Sequence, residues 1–156
     1  MKLDTLVSQN SVLCRADIIS KKRALEVIAE VLALESGTDD PLAIFQLLTE
    51  REKLGSTSLG HGVALPHART SLCDHAIGAF VKLNKGIDFD SPDHKPTDLL
   101  FALMVPEHYT DEHLKLLAGL ASLFNDKEFC QRLRESNDPL ELYNTLNSWQ
   151  ITSQAS

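Results

Sequence analysis

His67 follows Val63-Ala64-Leu65-Pro66 and stands behind the run Gly55-Ser-Thr-Ser-Leu-Gly-His-Gly62. Val63–Leu65 reads as a short buried strand that Pro66 should end, because proline has no N–H to give a sheet ladder. The glycines, with Ser56, Thr57 and Ser58 among them, mark a turn whose backbone takes positive φ or passes close to another group. A histidine fixed by a rigid proline, beside a loop of N–H and O–H donors, is suited to carry or bind an anion. Near neutral pH its uncharged imidazole is also a nucleophile.

The other histidines suggest less. His61, His75, His94, His108 and His113 show no tight ligand spacing with His67, and no cysteine completes a zinc pattern, so no metal is expected. His75, His94 and His108 fall in polar or turn-like stretches and should be exposed. His113 follows the helix-start signal Thr110-Asp111, and on residue type alone it is an ordinary polar residue of a first turn. Neither a Gly-x4-Gly-Lys-Ser/Thr loop nor a kinase motif is present, so nucleotide is not an expected partner.

The elements that must position these residues can be read in order. Residues 1–19 suit a helical or irregular segment and then a short strand. Ser20 is an N-cap, and Ala24, Leu25, Ile28, Val31 and Leu32 recur at helical spacing up to a stop at Gly37. Asp40-Pro41 starts a second helix, which should end near Lys53-Leu54-Gly55 and leave Arg51 in its last turn. There Arg51 reads most simply as a cation complementing the helix dipole. Strands are expected at Ala76–Leu83 and Leu99–Met104, the second apolar throughout and so buried on both faces. Between them Asn84-Lys-Gly86 and Asp90-Ser-Pro-Asp93 read as turns, with Ile87 and Phe89 on a short edge strand. Helices should follow from about Asp111, over 127–134 and from Asp138-Pro139, the last with Leu140, Leu142, Tyr143, Leu146 and Trp149 inward. The tail 150–156 should fray. This order predicts an α/β fold, one domain over 1–156 with its core about 6–149, in which a mixed sheet carries helices on both faces.

Composition sets the limits. A chain of 156 residues, 43% hydrophobic and 24% charged, can build a single core. Net charge −7 with no long block of like charges argues against direct nucleic-acid binding. Cys14, Cys73 and Cys130 are odd in number and widely spaced, which suits a reducing compartment. No apolar run is long enough to span a bilayer, so a cytoplasmic protein without membrane insertion is expected.

Taken together, Arg51-Glu52-Lys53, Gly55-Ser56-Thr57 and Gly60-His61-Gly62-Val63-Ala64-Leu65-Pro66-His67-Ala68-Arg69 resemble the signature of the IIA domains of the bacterial phosphotransferase system. The resemblance is to the mannitol/fructose class, and most of all to its nitrogen-regulatory type. It extends to Ser20–Glu26, Asp98–Pro106, His113-Leu114 and the Leu133-Arg134 region. It implies an α/β fold, His67 as phosphoryl acceptor, His113 beside it as second active-site histidine and Arg51 near the rim. The Ser56-Thr57 loop would assist. The implied donor is the phosphohistidine of a small HPr-like carrier, with no cofactor. Many relatives have Asn where this chain has His61, which bears on how the loop meets the phosphoryl group. Two functions fit: a regulatory phosphocarrier whose phosphorylation state governs unidentified target proteins, or a sugar-uptake component passing phosphate to a IIB domain. With no IIB, membrane or HPr segment in these 156 residues, the first is expected. A metal-binding or structural domain ranks behind both.

Overall fold

The computed structural model describes residues 3–155, with side chains through 149. Two short 3-10 turns lead into β1 (Val12–Arg15), α1 (Lys21–Ser36) and α2 (Pro41–Lys53). Then come β2 (Ser58–Gly60), β3 (Val63–Ala64), β4 (His67–Thr70), β5 (Ile77–Ile87) and β6 (Thr97–Pro106). Three helices complete the chain: α3 (Asp111–Phe124), α4 (Lys127–Glu135) and α5 (Pro139–Ala155). The strands make a mixed sheet of order β1-β5-β6-β3-β2, with β4 also paired to β6. β5 and β6 are antiparallel, while β3 and β4 both run parallel to β6.

β6 is the central element because both its faces are buried. Leu100, Ala102 and Met104 pack with α1 and α2 residues such as Ile28, Leu32 and Leu48. Leu99, Phe101, Leu103 and Val105 pack the other way, against Leu120, Phe124, Phe129, Leu133 and Leu142 of α3, α4 and α5. Alternation along a strand sends successive side chains to opposite layers, so an apolar run with no polar face specifies a central strand. The expected α/β architecture, with helices on both faces, is the one observed.

The helix starts are those the sequence marks. Ser20 Oγ accepts from Arg23 N at 3.1 Å and Asp40 Oδ1 from Ala43 N at 3.1 Å, each satisfying an orphan donor of the first turn. Gly37 closes α1 at φ 75°. α5 keeps its helical backbone through Ala155, where a frayed tail is expected, and Ser156 lies outside the described residues.

The strand at Val63 stops before Pro66, as expected, but it resumes in the same line: Val63 faces Leu99, Ala64 faces Leu100 and His67 faces Leu103, so β3 and β4 are collinear along β6. The proline interrupts donation only, and its carbonyl accepts from Leu103 N at 2.9 Å. Two expectations need correction. Asn84-Lys-Gly86 is not a turn but part of β5, which continues to Ile87 through a register shift. Gly86 is needed there because a Cβ would meet Pro96 Cβ at 2.7 Å. Leu140 is exposed rather than inward, leaving Leu142 and Leu146 as the buried leucines of α5.

Candidate active site

His67 opens β4, and the hydrogen bonds of its ring distinguish its two nitrogens. Nδ1 lies 2.8 Å from Leu65 O. A carbonyl can only accept, so this hydrogen-bond network assigns the proton to Nδ1 and the lone pair to Nε2. Nε2 in turn accepts from Arg51 Nε at 3.2 Å. Burial holds the His67 pKa below its ordinary value and the Arg51 charge adds to this, against the opposing bond to Leu65. The imidazole is therefore neutral at pH 7, with its lone pair available on Nε2.

Arg51 comes from the last turn of α2, whose phase is set by the Asp40-Pro41 start. Its Nη1 donates to Gly55 O at 2.9 Å, which ties the guanidinium to the loop after the helix. The neighbouring Glu52 turns the other way and is buried. It accepts from Thr57 N at 3.2 Å and from Thr57 Oγ1, and pairs with Lys21 Nζ at 3.0 Å. Ser56 Oγ donates to Phe89 O at 2.7 Å. The donor protons of both hydroxyls are thus taken by protein partners, and what these side chains do in the structure is hold the loop.

His113 sits in the first turn of α3, with its ring edge-on to His67 at a centroid separation of 5.3 Å and 71° between planes. It is only 9% exposed, and its Nε2 is buried without a hydrogen-bond partner among the described residues. A buried nitrogen left without a partner costs free energy. Burial first, then the nearby His67 and Arg69, push its pKa down to about 4. Two neutral imidazoles and the Arg51 guanidinium therefore meet at one end of β4.

The structure brings together His67, His113 and Arg51, with Ser56 and Thr57 one layer behind. His61 is elsewhere. It is an exposed residue at the tip of the β2–β3 hairpin, where its N–H donates to Asp93 Oδ2 at 3.0 Å and its carbonyl accepts from Arg134 Nη2 at 2.7 Å. His75, His94 and His108 are exposed. Sequence reasoning missed two residues. Arg69 shares a face of β4 with His67, which alternation in His67-Ala-Arg-Thr70 could have revealed. Glu52 is the second, because no local pattern marks it as the anchor of the loop.

No helix among the described residues is long and apolar enough to cross a membrane. The family model for the phosphoenolpyruvate-dependent sugar phosphotransferase system, EIIA 2, matches residues 5–149. The chain is 46% identical to a nitrogen regulatory protein of Pseudomonas aeruginosa over 124 residues, covering 80% of each. It is 38% identical to that of Bradyrhizobium diazoefficiens over 146 residues, covering 94% of this chain and 95% of the relative. Among solved structures, the nitrogen regulatory protein IIA-Ntr of Neisseria meningitidis superposes with a TM-score of 0.86 at 37% identity, over 92% of this chain and 98% of that one. The mannitol IIA of Escherichia coli shares the fold at a TM-score of 0.71 and 23% identity, over 90% and 98%. With these matches spanning nearly all of its length, the chain belongs to the EIIA type 2 family of the phosphotransferase system.

Proposed function

We propose that this protein is a phosphocarrier that accepts a phosphoryl group on Nε2 of His67 from the phosphohistidine of an HPr-like carrier, and that its phosphorylation state governs its binding to partner proteins. The observation that carries this reading is the Nε2 lone pair, fixed by the Nδ1–Leu65 bond and flanked by Arg51 and the unmet nitrogen of His113. In the transfer, the His67 lone pair forms a new Nε2–P bond as the donor's N–P bond breaks. The electron pair of that broken bond stays on the donor imidazole. The Nδ1 proton stays on Nδ1, donated to Leu65 O, whose carbonyl dipole stabilises positive charge on the ring. Arg51, released from the lone pair it had masked, and His113 donate to the equatorial oxygens. Phosphoryl transfer depends mainly on such positioning and charge stabilisation.

The regulatory half of the reading rests on the resemblance to nitrogen regulatory proteins. A second reading, transfer onward to a IIB domain, draws on the 35% identity over 118 residues to a fructose-specific EIIA component of Haloferax volcanii.

The test is incubation with enzyme I, an HPr-type carrier and phosphoenolpyruvate. The protein should gain one acid-labile, base-stable phosphate, and His67→Ala should gain none while keeping its fold. Equal labelling of the variant would sink the assignment. Rapid discharge to a purified IIB domain would favour the sugar relay.

A further inference from the structure

The chain holds six arginines in an acidic protein of net charge −7. Four are ion-paired: Arg15 with Asp17, Arg23 with Glu26, Arg132 with Glu128 and Arg134 with Asp98. Arg51 and Arg69 have no carboxylate partner among the described residues, and these two stand around His67 and His113. Where acids outnumber bases 22 to 15, a guanidinium left unpaired has been kept from the available carboxylates. Two at one place make a site with positive charge to spare.

Arg69 reaches this site from β4. His67 and Arg69 are two residues apart on one strand, so their side chains leave the same face, while Ala68 and Thr70 between and beyond them are buried. Its charge acts on His113 as that of Arg51 acts on His67. Its hydrogen bond to Tyr109 O is long, 3.4 Å from Nη1, and Arg69 itself is exposed. A contact at that length is weak and easily exchanged.

Building on His67 as the phosphoryl acceptor, we propose that Arg69 is a further catalytic residue of this transfer: its guanidinium exchanges the Tyr109 carbonyl for an oxygen of the phosphoryl group on His67. A phosphoryl group carries up to two negative charges near neutral pH, and two guanidinium groups beside two uncharged imidazoles match it. Arg51 alone would leave a net negative charge against a half-buried ring. The fork of a guanidinium also fits phosphate oxygens better than a point charge does.

The experiment measures single-turnover phosphorylation by the phosphorylated HPr-type carrier in wild type, Arg69→Gln and Arg69→Lys, across carrier concentration and with thermal unfolding alongside. The maximal rate of Arg69→Gln should fall roughly 10- to 100-fold, the effect of one well-placed donor in a partly open site. Half-saturation and Tm should stay near wild type, and Arg69→Lys should recover part of the rate. Arg132→Gln, which removes a paired arginine, should change nothing. An unchanged maximal rate overturns the proposal. So does a loss confined to half-saturation and abolished by salt, which would make Arg69 a docking residue for the carrier. A wild type that accepts no phosphate would instead refute the function of His67. Should Arg69→Gln unfold, the Arg69 Nε–H resonance of wild type decides: it must shift when His67 is phosphorylated, and a resonance that stays put overturns the contact.

Discussion

Arg51 Nε and His67 Nε2 lie 3.2 Å apart, and the proton between them belongs to the arginine. The nucleophilic lone pair is therefore covered at rest by the same N–H that can serve the incoming phosphoryl group. In the proposed transfer nothing new would have to be assembled: Arg51 would move from nitrogen to oxygen, and the His113 nitrogen that has no partner among the described residues would gain one. Donors arranged in advance lower the reorganisation cost of the charged state.

Both histidines hold their protons less tightly in the folded chain than in the unfolded one, and this fixes the sign of a pH effect. His113 titrates at about 4 against 6.5 in the unfolded chain, and His67 is lowered as well. Below pH 6.5 the unfolded state takes up protons that the folded state refuses, so stability should fall with pH, and the His113 part of that fall should level off near pH 4. The His113 contribution over that range is about 1–3 kcal/mol. Denaturant unfolding of wild type and His113→Gln against pH measures it. The variant should show a shallower fall, and parallel curves would contradict the depressed pKa.

Much of this molecule is legible in its sequence because local chemistry dictates it. Ser20 and Asp40 cap the helices they precede, and the apolar run Leu99–Val105 can only be a strand buried on both sides. What local chemistry does not dictate was missed. The collinearity of β3 and β4 is a property of their shared pairing with β6, and no residue near Pro66 announces it. Gly86 looks like a turn residue, yet it is there to let Pro96 approach. At the site, His67 is marked by its own surroundings. On residues alone His113 and Arg51 read as an ordinary turn residue and an ordinary cation, and the family pattern singled them out. Glu52 became visible only through partners, Lys21 and Thr57, from two other segments.

Glu52 should matter to the site without touching it. Its buried carboxylate joins α1, through Lys21, to the loop that receives the Arg51 guanidinium at Gly55. Glu52→Gln keeps the shape but replaces one acceptor oxygen with a donor. The expected cost is about 1–3 kcal/mol, the range for an unmet buried group, moderated because Lys21 keeps Asp90 at 3.1 Å. Hydrogen exchange at the Thr57 amide should accelerate more than exchange in α1. Uniform acceleration throughout the chain would mean that Glu52 supports the fold as a whole and not the loop.

His61 is where improvement is expected. Gly60 pairs with Val63, so His61 and Gly62 are the two central residues of the β2–β3 hairpin, at φ 57° and 80°. Two successive positive φ values are those of a type I′ turn, for which Asn-Gly is the favoured pair. Histidine tolerates the left-handed region less well than asparagine does, whereas Gly62 cannot be replaced, since a Cβ there would lie 2.6 Å from Arg134 Nη2. The bonds His61 makes to Asp93 and Arg134 use its backbone, and its exposed side chain has none to lose. His61→Asn should therefore stabilise the protein by about 0.5–1 kcal/mol, raising Tm by roughly 1–4 °C. It should leave phosphorylation unchanged, because the four strand steps from Val63 to His67 along β6 already separate this turn from His67 by ~13 Å. Thermal unfolding and the rate of phosphate acceptance read the two claims separately. A Tm at or below wild type would show that the left-handed backbone costs histidine nothing here, and a slower transfer would show that the hairpin tip reaches the site after all.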